Sequence, residues 1–84
     1  MEFEKIWMNI KNCAGQEFKT KTGLKFTYKI EGSAVVPDRT DYPLDKRNFE
    51  IAAQIPDLQG PGQINNLVRG PSYVYAILSD SRIR

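Results

Sequence analysis

The 84-residue chain contains no histidine and only one cysteine, Cys13. Without these residues, it lacks the commonest general base, zinc-finger ligand sets, disulfide frameworks and cysteine–histidine dyads. We therefore predict that the protein is not an enzyme and that it uses no metal ion and no cofactor. A lone thiol is typical of proteins in a reducing compartment, which favours a cytoplasmic location.

Long hydrophobic runs are also missing. The apolar stretch that ends at Leu78 falls far short of the roughly 20 residues that a membrane-spanning helix needs. The first 13 residues mix acidic with apolar side chains and lack the core of a signal peptide. We therefore expect neither a membrane partner nor export by that route.

Charge of one sign does not dominate the chain. Twelve Lys and Arg residues stand against ten Asp and Glu residues, which gives a net charge of +2. No global field attracts such a chain to a polyanion. With 40% hydrophobic and 26% charged residues in 84 positions, we predict one folded domain over residues 1–84.

Helical periodicity is clear at the start of the chain. Phe3, Ile6, Trp7 and Ile10 follow the spacing of one helical face, and Gly15 lies where such a helix commonly ends. The pattern predicts an amphipathic helix over residues 2–13. Its apolar face could cover the protein's own sheet or bind another chain, and the sequence leaves both open.

From residue 16 the hydrophobic period changes to two. Leu24, Phe26, Tyr28 and Ile30 alternate with polar residues, which indicates a half-buried strand. A strand before it, over residues 17–21, and one after it, over residues 34–36, would complete a three-stranded antiparallel meander. The segment 37–45 is polar, contains two prolines and is predicted to be a loop.

The second half of the chain shows helix signals. Asp45 is a good N-cap for a helix over residues 46–54. Two more short helices are predicted over residues 63–68 and 71–79, on either side of Arg69 and Gly70. The predicted fold class is α+β: a three-stranded antiparallel sheet with an N-terminal helix and two to three short C-terminal helices. The predicted core positions of the last three helices are Phe49, Ala52, Ala53, Ile64, Leu67, Val68, Val74, Ile77 and Leu78.

Positive charge is concentrated in one segment. Between Phe18 and Ile30 the chain carries four lysines and no acid. If the alternation holds, Lys25 and Lys29 stand with Thr27 on the exposed face of a strand, where they could meet phosphates. The alternative is that these lysines keep a small sheet soluble and discourage edge-to-edge pairing.

The segment QINNLVRGPSYVYAIL, residues 63–78, resembles a helix-turn-helix. The resemblance implies that Ser72, Tyr73 and Tyr75 lie at the front of a second helix, which would enter a major groove, with Arg69 against the phosphate backbone. It departs from that motif at Ile64, where a small residue is usual. An ordinary helical corner that closes the core remains the alternative.

The stretches GQEFKTKTGLKFTYKIEG and INNLVRGPSYVYAILSDSRI together resemble a small bacterial domain of undetermined function. This resemblance implies an adaptor or binding module rather than an independent enzyme.

The sequence therefore favours a non-catalytic binding module whose ligand is nucleic acid, held by a basic sheet face and the C-terminal helix pair. The alternative is a protein-interaction module or a homodimerising domain. Bases or sugars would be contacted by Ser72, Tyr73 and Tyr75, and phosphates would be neutralised by Lys19, Lys21, Lys25, Lys29, Arg69, Arg82 and Arg84.

Overall fold

A computed structural model describes residues 3–84, and it has the predicted α+β fold. The first and last elements are helices, and five short strands lie between the first two helices. In chain order the elements are α1 (Phe3–Asn12), β1 (Phe18–Lys19), β2 (Lys25–Phe26), β3 (Tyr28–Glu31), β4 (Ala34–Pro37), β5 (Leu44–Asp45), α2 (Lys46–Ala53), a 3₁₀-helix (Pro61–Ile64) and α3 (Pro71–Leu78).

The N-terminal helix packs its apolar face into the protein's own core. Ile6, Trp7 and Ile10 are buried, and the Trp7 ring lies 6.2 Å from the ring of Phe49 in α2. The helical periodicity of this segment thus predicted both the helix and its buried face. The predicted start at Glu2 lies outside the described residues.

The strands form two small sheets, so the prediction of one meander over residues 17–36 is wrong. One sheet is the antiparallel pair β1–β2, and the other has the order β3–β4–β5 with antiparallel neighbours. The third strand of the larger sheet is β5, in a segment that the sequence assigned to a loop. Val35 at the centre of β4 pairs with Ile30 on one side and with Leu44 on the other.

The two sheets separate at Thr27. Its backbone N–H donates to the carboxylate of Asp38 at 3.0 Å, and its carbonyl accepts from the Asp38 N–H at 2.9 Å. Pro37, the last residue of β4, pairs with Tyr28, so Thr27 and Asp38 are the next pair in the register. The Asp38 side chain accepts the Thr27 N–H in place of a backbone carbonyl, and the strand predicted over residues 24–30 becomes two strands.

The outer side of β3 is partly occupied by the turn after α1. The Gly15 N–H donates to the carbonyl of Tyr28 at 2.8 Å, on the side away from β4. The Tyr28 phenol in turn donates to the carbonyl of Ile10 in the buried interior. Burial raises the pKa of the Tyr28 phenol far above its ordinary value, so it stays a donor throughout the physiological range.

The helix that follows Asp45 starts where the sequence predicted. Asp45 holds the N-cap position of α2, but its side chain makes no capping hydrogen bond. Phe49 and Ala52 are buried, and Ala53 is partly buried against the same core. The predicted start and buried face of α2 are therefore correct, the helix ends one residue earlier than predicted, and the predicted capping bond is not made.

The predicted α-helix over residues 63–68 is wrong. Pro61 and Gly62 begin a 3₁₀-helix of one turn, which ends at Ile64 and is followed by turns. Ile64 is fully buried, whereas the Leu67 side chain, predicted to be in the core, is 50% exposed. A short 3₁₀ turn buries one apolar position here because it is too short to present a continuous face.

The helix α3 crosses the core. Val74, Ala76, Ile77 and Leu78 are all buried. Beyond α3, the chain returns to α1, because the Asn9 amide donates to the carbonyl of Ile83 at 2.8 Å and the Ile83 side chain is fully buried. The sequence did not predict this anchor. Among residues 3–84, none of the helices combines the length and apolar character needed to cross a membrane.

Candidate nucleic-acid interface

The β1–β2 hairpin places two lysines directly opposite each other. Lys19 pairs with Lys25 in the strand register, and both are exposed. The neighbouring pair, Phe18 and Phe26, faces inward, with ring centroids 6.1 Å apart and both side chains buried. Like charges directly opposite each other destabilise a sheet. The packing of the two phenylalanines therefore stabilises the hairpin against the repulsion between the two lysines on its outer face.

The ion pair between Lys25 and Glu17 on this outer face is weak. The Lys25 Nζ lies 3.9 Å from the Glu17 carboxylate, and both side chains are more than 60% exposed. An ion pair at that distance in water contributes little. Lys19 and Lys25 therefore remain available to an anionic ligand.

A third cation reaches the same strand from the loop after β4. The Arg39 Nε–H donates to the carbonyl of Lys25, and Arg39 is exposed. The sequence analysis missed this residue. Its position depends on Asp38 pairing with Thr27, a contact for which the sequence carries no local signal.

Acidic side chains border these cations without matching them in number. Glu17, Lys25, Thr27 and Asp38 are among the residues that line a shallow cleft of about 180 Å³ beside β2. The Asp38 carboxylate is already an acceptor for the Thr27 N–H. An anionic ligand would therefore meet the lysines from the outer face of the hairpin rather than enter this cleft.

Lys21 lies at the tip of the hairpin and turns towards α3. The turn is closed by the Gly23 N–H, which donates to the Thr20 carbonyl at 2.9 Å, and Gly23 has a φ of 94°. The Lys21 ammonium donates to the Gln59 carbonyl at 2.8 Å and lies 5.8 Å from the centroid of the Tyr75 ring. The structure thus brings a cation and an aromatic ring together that are 54 positions apart in the chain.

The two tyrosines of α3 are half-buried. Tyr73 meets the ring of Phe26 edge-on, with centroids 5.0 Å apart, and so supports the underside of the hairpin. Tyr75 borders the hairpin tip, and Ser72 is exposed. The sequence-predicted aromatic residues therefore lie next to the hairpin, but Tyr73 acts mainly through packing.

Lys29 is separated from the other lysines. It lies on β3, in the other sheet, and its ammonium is 2.9 Å from the Glu31 carboxylate. On the outer face of that sheet it lines a cleft of about 480 Å³ together with Val36 and Thr40. The break at Thr27 and the charge of Glu31 both set Lys29 apart from the hairpin.

Arg69 contacts the segment before β5, and α2, instead. Its guanidinium lies 4.7 Å from the centroid of the Tyr42 ring, and its backbone N–H donates to the Asn48 side chain at 3.0 Å. The structure shows no contact between Arg69 and the hairpin lysines.

Arg82 is held by the protein itself. Its guanidinium makes four hydrogen bonds, two to the Asp80 carboxylate, one to the Gln16 side chain and one to the Glu17 carbonyl. These use four of the five N–H groups that an arginine has. The bonds from Arg82 lower the pKa of the Asp80 carboxyl below its ordinary value. Arg82 is therefore a structural clamp with little capacity left for phosphate.

Arg84 lies at another part of the molecule. Its guanidinium is 3.4 Å from the carbonyl of Ala53, at the C-terminal end of α2. A cation at this end of a helix suits the helix dipole. The structure thus gives both C-terminal arginines contacts within the fold.

The helix-turn-helix resemblance finds little support within residues 61–78, all of which are described. The first helix of the motif is replaced by one 3₁₀ turn. In α3 only Ser72 is exposed, because every other residue from Pro71 to Leu78 is buried or half-buried. A recognition helix needs several exposed side chains to reach base edges, and α3 does not offer them.

We define the basic hairpin surface as Lys19, Lys21, Lys25, Arg39 and Tyr75. Its four cationic side chains are all exposed, and the carboxylates shown beside them are those of Glu17 and Asp38. Among residues 3–84, no three acidic or thiol side chains lie close enough to hold a metal ion together. The surface can therefore bind an extended anion by charge and by aromatic contact.

Comparison with known proteins adds no functional information. No family model matches the chain, and neither the curated proteins nor the solved structures compared with it gave a match.

Proposed function

We propose that the protein binds nucleic acid, without catalysing a reaction, through the basic hairpin surface. The observation that carries the proposal is the register of the β1–β2 hairpin, which sets exposed Lys19 directly opposite exposed Lys25. Such a pair costs folding free energy in the absence of an anion. A phosphate between the two ammonium groups would remove that cost.

An extended polyanion fits this surface better than a single small anion. The cations stand on an open face and at the hairpin tip, and their side chains are exposed. Phosphate contacts of this kind give affinity and position without reading sequence. We therefore expect weak binding that depends strongly on salt.

The proposal keeps part of the site that the sequence predicted. Lys19, Lys21, Lys25 and Tyr75 stay in it, and Arg39 is added. Tyr73 packs beneath it against Phe26, and Ser72 is exposed near the start of α3. The remaining predicted cations are engaged elsewhere in the fold, namely Lys29, Arg69, Arg82 and Arg84.

Salt-dependent binding of a labelled oligonucleotide tests the proposal. Fluorescence anisotropy should show an affinity that falls steeply between about 50 and 200 mM salt. The double variant Lys19→Gln/Lys25→Gln should bind more weakly, with a log–log salt slope shallower by about one unit or more. Lys29→Gln is the control, because Glu31 already balances that lysine, and its effect is compared per charge removed since it loses one charge where the double variant loses two.

Two results would contradict the proposal. One is the absence of binding at low salt by the folded wild-type protein. The other is a loss of log affinity per removed charge that is the same in Lys29→Gln as in the double variant, which would mean that only the total charge of the protein matters.

The surface predicted for the protein-interaction alternative is buried in the fold. The apolar face of α1 that could have bound another chain is buried in the core through Ile6, Trp7 and Ile10. A cytoplasmic location remains part of the proposal, on the ground of the single Cys13.

A further inference from the structure

We infer that the ligand of the basic hairpin surface is a single-stranded nucleic acid, with one unpaired base stacked on Tyr75 and a neighbouring phosphate bound by Lys21. This inference rests on the proposed function and names the substrate class. Three features of the structure lead to it: the burial of α3, the flat attachment of the hairpin and the contact between Lys21 and Tyr75.

The helix α3 cannot read a duplex. Among its eight residues only Ser72 is exposed, and four of them are core residues. Insertion into a major groove would require α3 to leave the core, where Val74, Ile77 and Leu78 are fully buried. The loss of that burial would unfold a domain of this size.

The hairpin is poorly suited to reading bases in a groove. Its inner face carries Phe18 and Phe26, whose side chains are 2% exposed, so it lies flat on the core. Each of its strands has two residues, which leaves only Lys19 and Lys25 on the outer face. Two lysines can bind phosphates but provide few of the base-edge contacts that a β-ribbon makes in a major groove.

The contact at the hairpin tip suits an unpaired base. Tyr75 is half-buried, and the Lys21 ammonium near its ring is exposed and bonded to a neutral carbonyl of Gln59. A phosphate oxygen is a stronger acceptor for an ammonium group than a neutral carbonyl. When Lys21 moves to a phosphate, the Tyr75 ring becomes free to stack on a base, whose π-face is accessible only in a single strand.

The experiment compares an oligothymidine of about 12 nucleotides with a mixed-sequence duplex of the same length. Binding by wild-type protein is measured by fluorescence anisotropy at low salt. Tyr75→Leu removes the ring, and Tyr75→Phe keeps it. Tyr42→Leu is the matched control, because Tyr42 is also a half-buried tyrosine beside a cation, Arg69.

The inference predicts tighter binding of the single strand than of the duplex. Tyr75→Leu should lose about tenfold or more in single-strand affinity, Tyr75→Phe should lose little, and duplex affinity should change little in either variant. Tyr42→Leu should bind like the wild type. A thermal melt of each variant establishes that it is folded.

The failures are distinguishable. If the duplex binds more tightly than the single strand, or if folded Tyr75→Leu keeps full affinity for the single strand, the inference is wrong and the proposed function stands. If neither nucleic acid binds, both are wrong.

Discussion

The guanidinium of Arg82 lies 4.1 Å from the centroid of the Phe18 ring, and it joins the end of the chain to the first strand of the hairpin. The same group bonds to Gln16 and to the Glu17 carbonyl on the chain entering β1. Asp80 orients it with two further bonds. The position of the hairpin that carries Lys19 thus depends in part on an arginine near the C-terminus.

Replacement of Arg82 should therefore destabilise the fold. We expect Arg82→Ala to lower the free energy of unfolding by about 1 kcal/mol. The expected loss is modest because the Arg82 side chain is partly exposed to water. For a domain of this size that corresponds to about 4–8 °C in the melting temperature.

Two further variants separate charge from geometry at this position. Arg82→Lys keeps the charge but not the fork of donors, and it should recover only part of the loss. Arg84→Ala, which removes one long hydrogen bond, should cost less than Arg82→Ala. The reverse order in thermal melts would show that Arg82 is not a clamp.

The bond to Arg82 also makes stability depend on pH through Asp80. Because its pKa is lowered in the folded state, the unfolded state binds a proton more readily. The stabilisation is present above the ordinary pKa of an aspartate and is lost as the pH falls through the lowered value. Melting temperatures measured from neutral to acidic pH should fall less steeply for Asp80→Asn than for the wild type. Parallel curves would contradict this.

Gly70 should tolerate no side chain. It caps α3 in the left-handed region, with a φ of 60°. A Cβ there would also lie 2.8 Å from the Leu44 Cδ2 atom of β5. We expect Gly70→Ala to destabilise the protein by more than the roughly 1–2 kcal/mol of a left-handed backbone alone.

Substitutions at two other glycines separate the cost of backbone strain from the cost of the clash with Leu44. All three variants are compared by denaturant unfolding. Gly15→Ala adds the backbone strain without a clash, since φ is 89° and no atom lies within 4 Å. Gly62→Ala meets neither problem. The expected order of destabilisation is Gly70, then Gly15, then Gly62. Equal effects at Gly70 and Gly15 would show that Leu44 moves aside at no cost.

Lys19→Glu should shift folding stability and ligand binding in opposite directions. A glutamate opposite Lys25 converts a repulsive cross-strand pair into an attractive one, which should add about 0.2–1 kcal/mol to stability. The same change should weaken oligonucleotide binding, because it places a negative charge on the basic hairpin surface.

Lys29→Glu provides the comparison for this charge reversal. It breaks the ion pair with Glu31 and puts two acids side by side, so stability should not rise. Thermal melts and anisotropy on the two variants check both expectations. A Lys19→Glu protein that is less stable than the wild type would contradict the account of the hairpin.

The sequence predicted the elements whose signals are local. The apolar spacing of Phe3 to Ile10 identified α1 and its buried face, and Pro71 marked the start of α3. β5 could not be predicted in this way, since it is two residues long and forms only by pairing with β4. The break at Thr27 likewise depends on Asp38, eleven positions away.

The candidate site was predictable only in part, for the same reason. The lysine-rich run and the turn at Gly23 were visible in the sequence, and they place Lys19 beside Lys25. Strict alternation also assigned Lys29 to that face, but the chain changes sheets between them. The approach of Arg39 and the engagement of Arg82 by Asp80 arise from the tertiary fold. The contact with nucleic acid stays a prediction.

The bond from Gly15 to the carbonyl of Tyr28 has a consequence for how molecules of this protein meet one another. An unpaired strand edge invites a second chain to add its own strand, which is a common route to fibrils. Here the segment after α1 already occupies that position at Tyr28 of β3. A second copy would have to displace this segment before it could pair along the whole edge of β3, which disfavours aggregation on this side of the molecule.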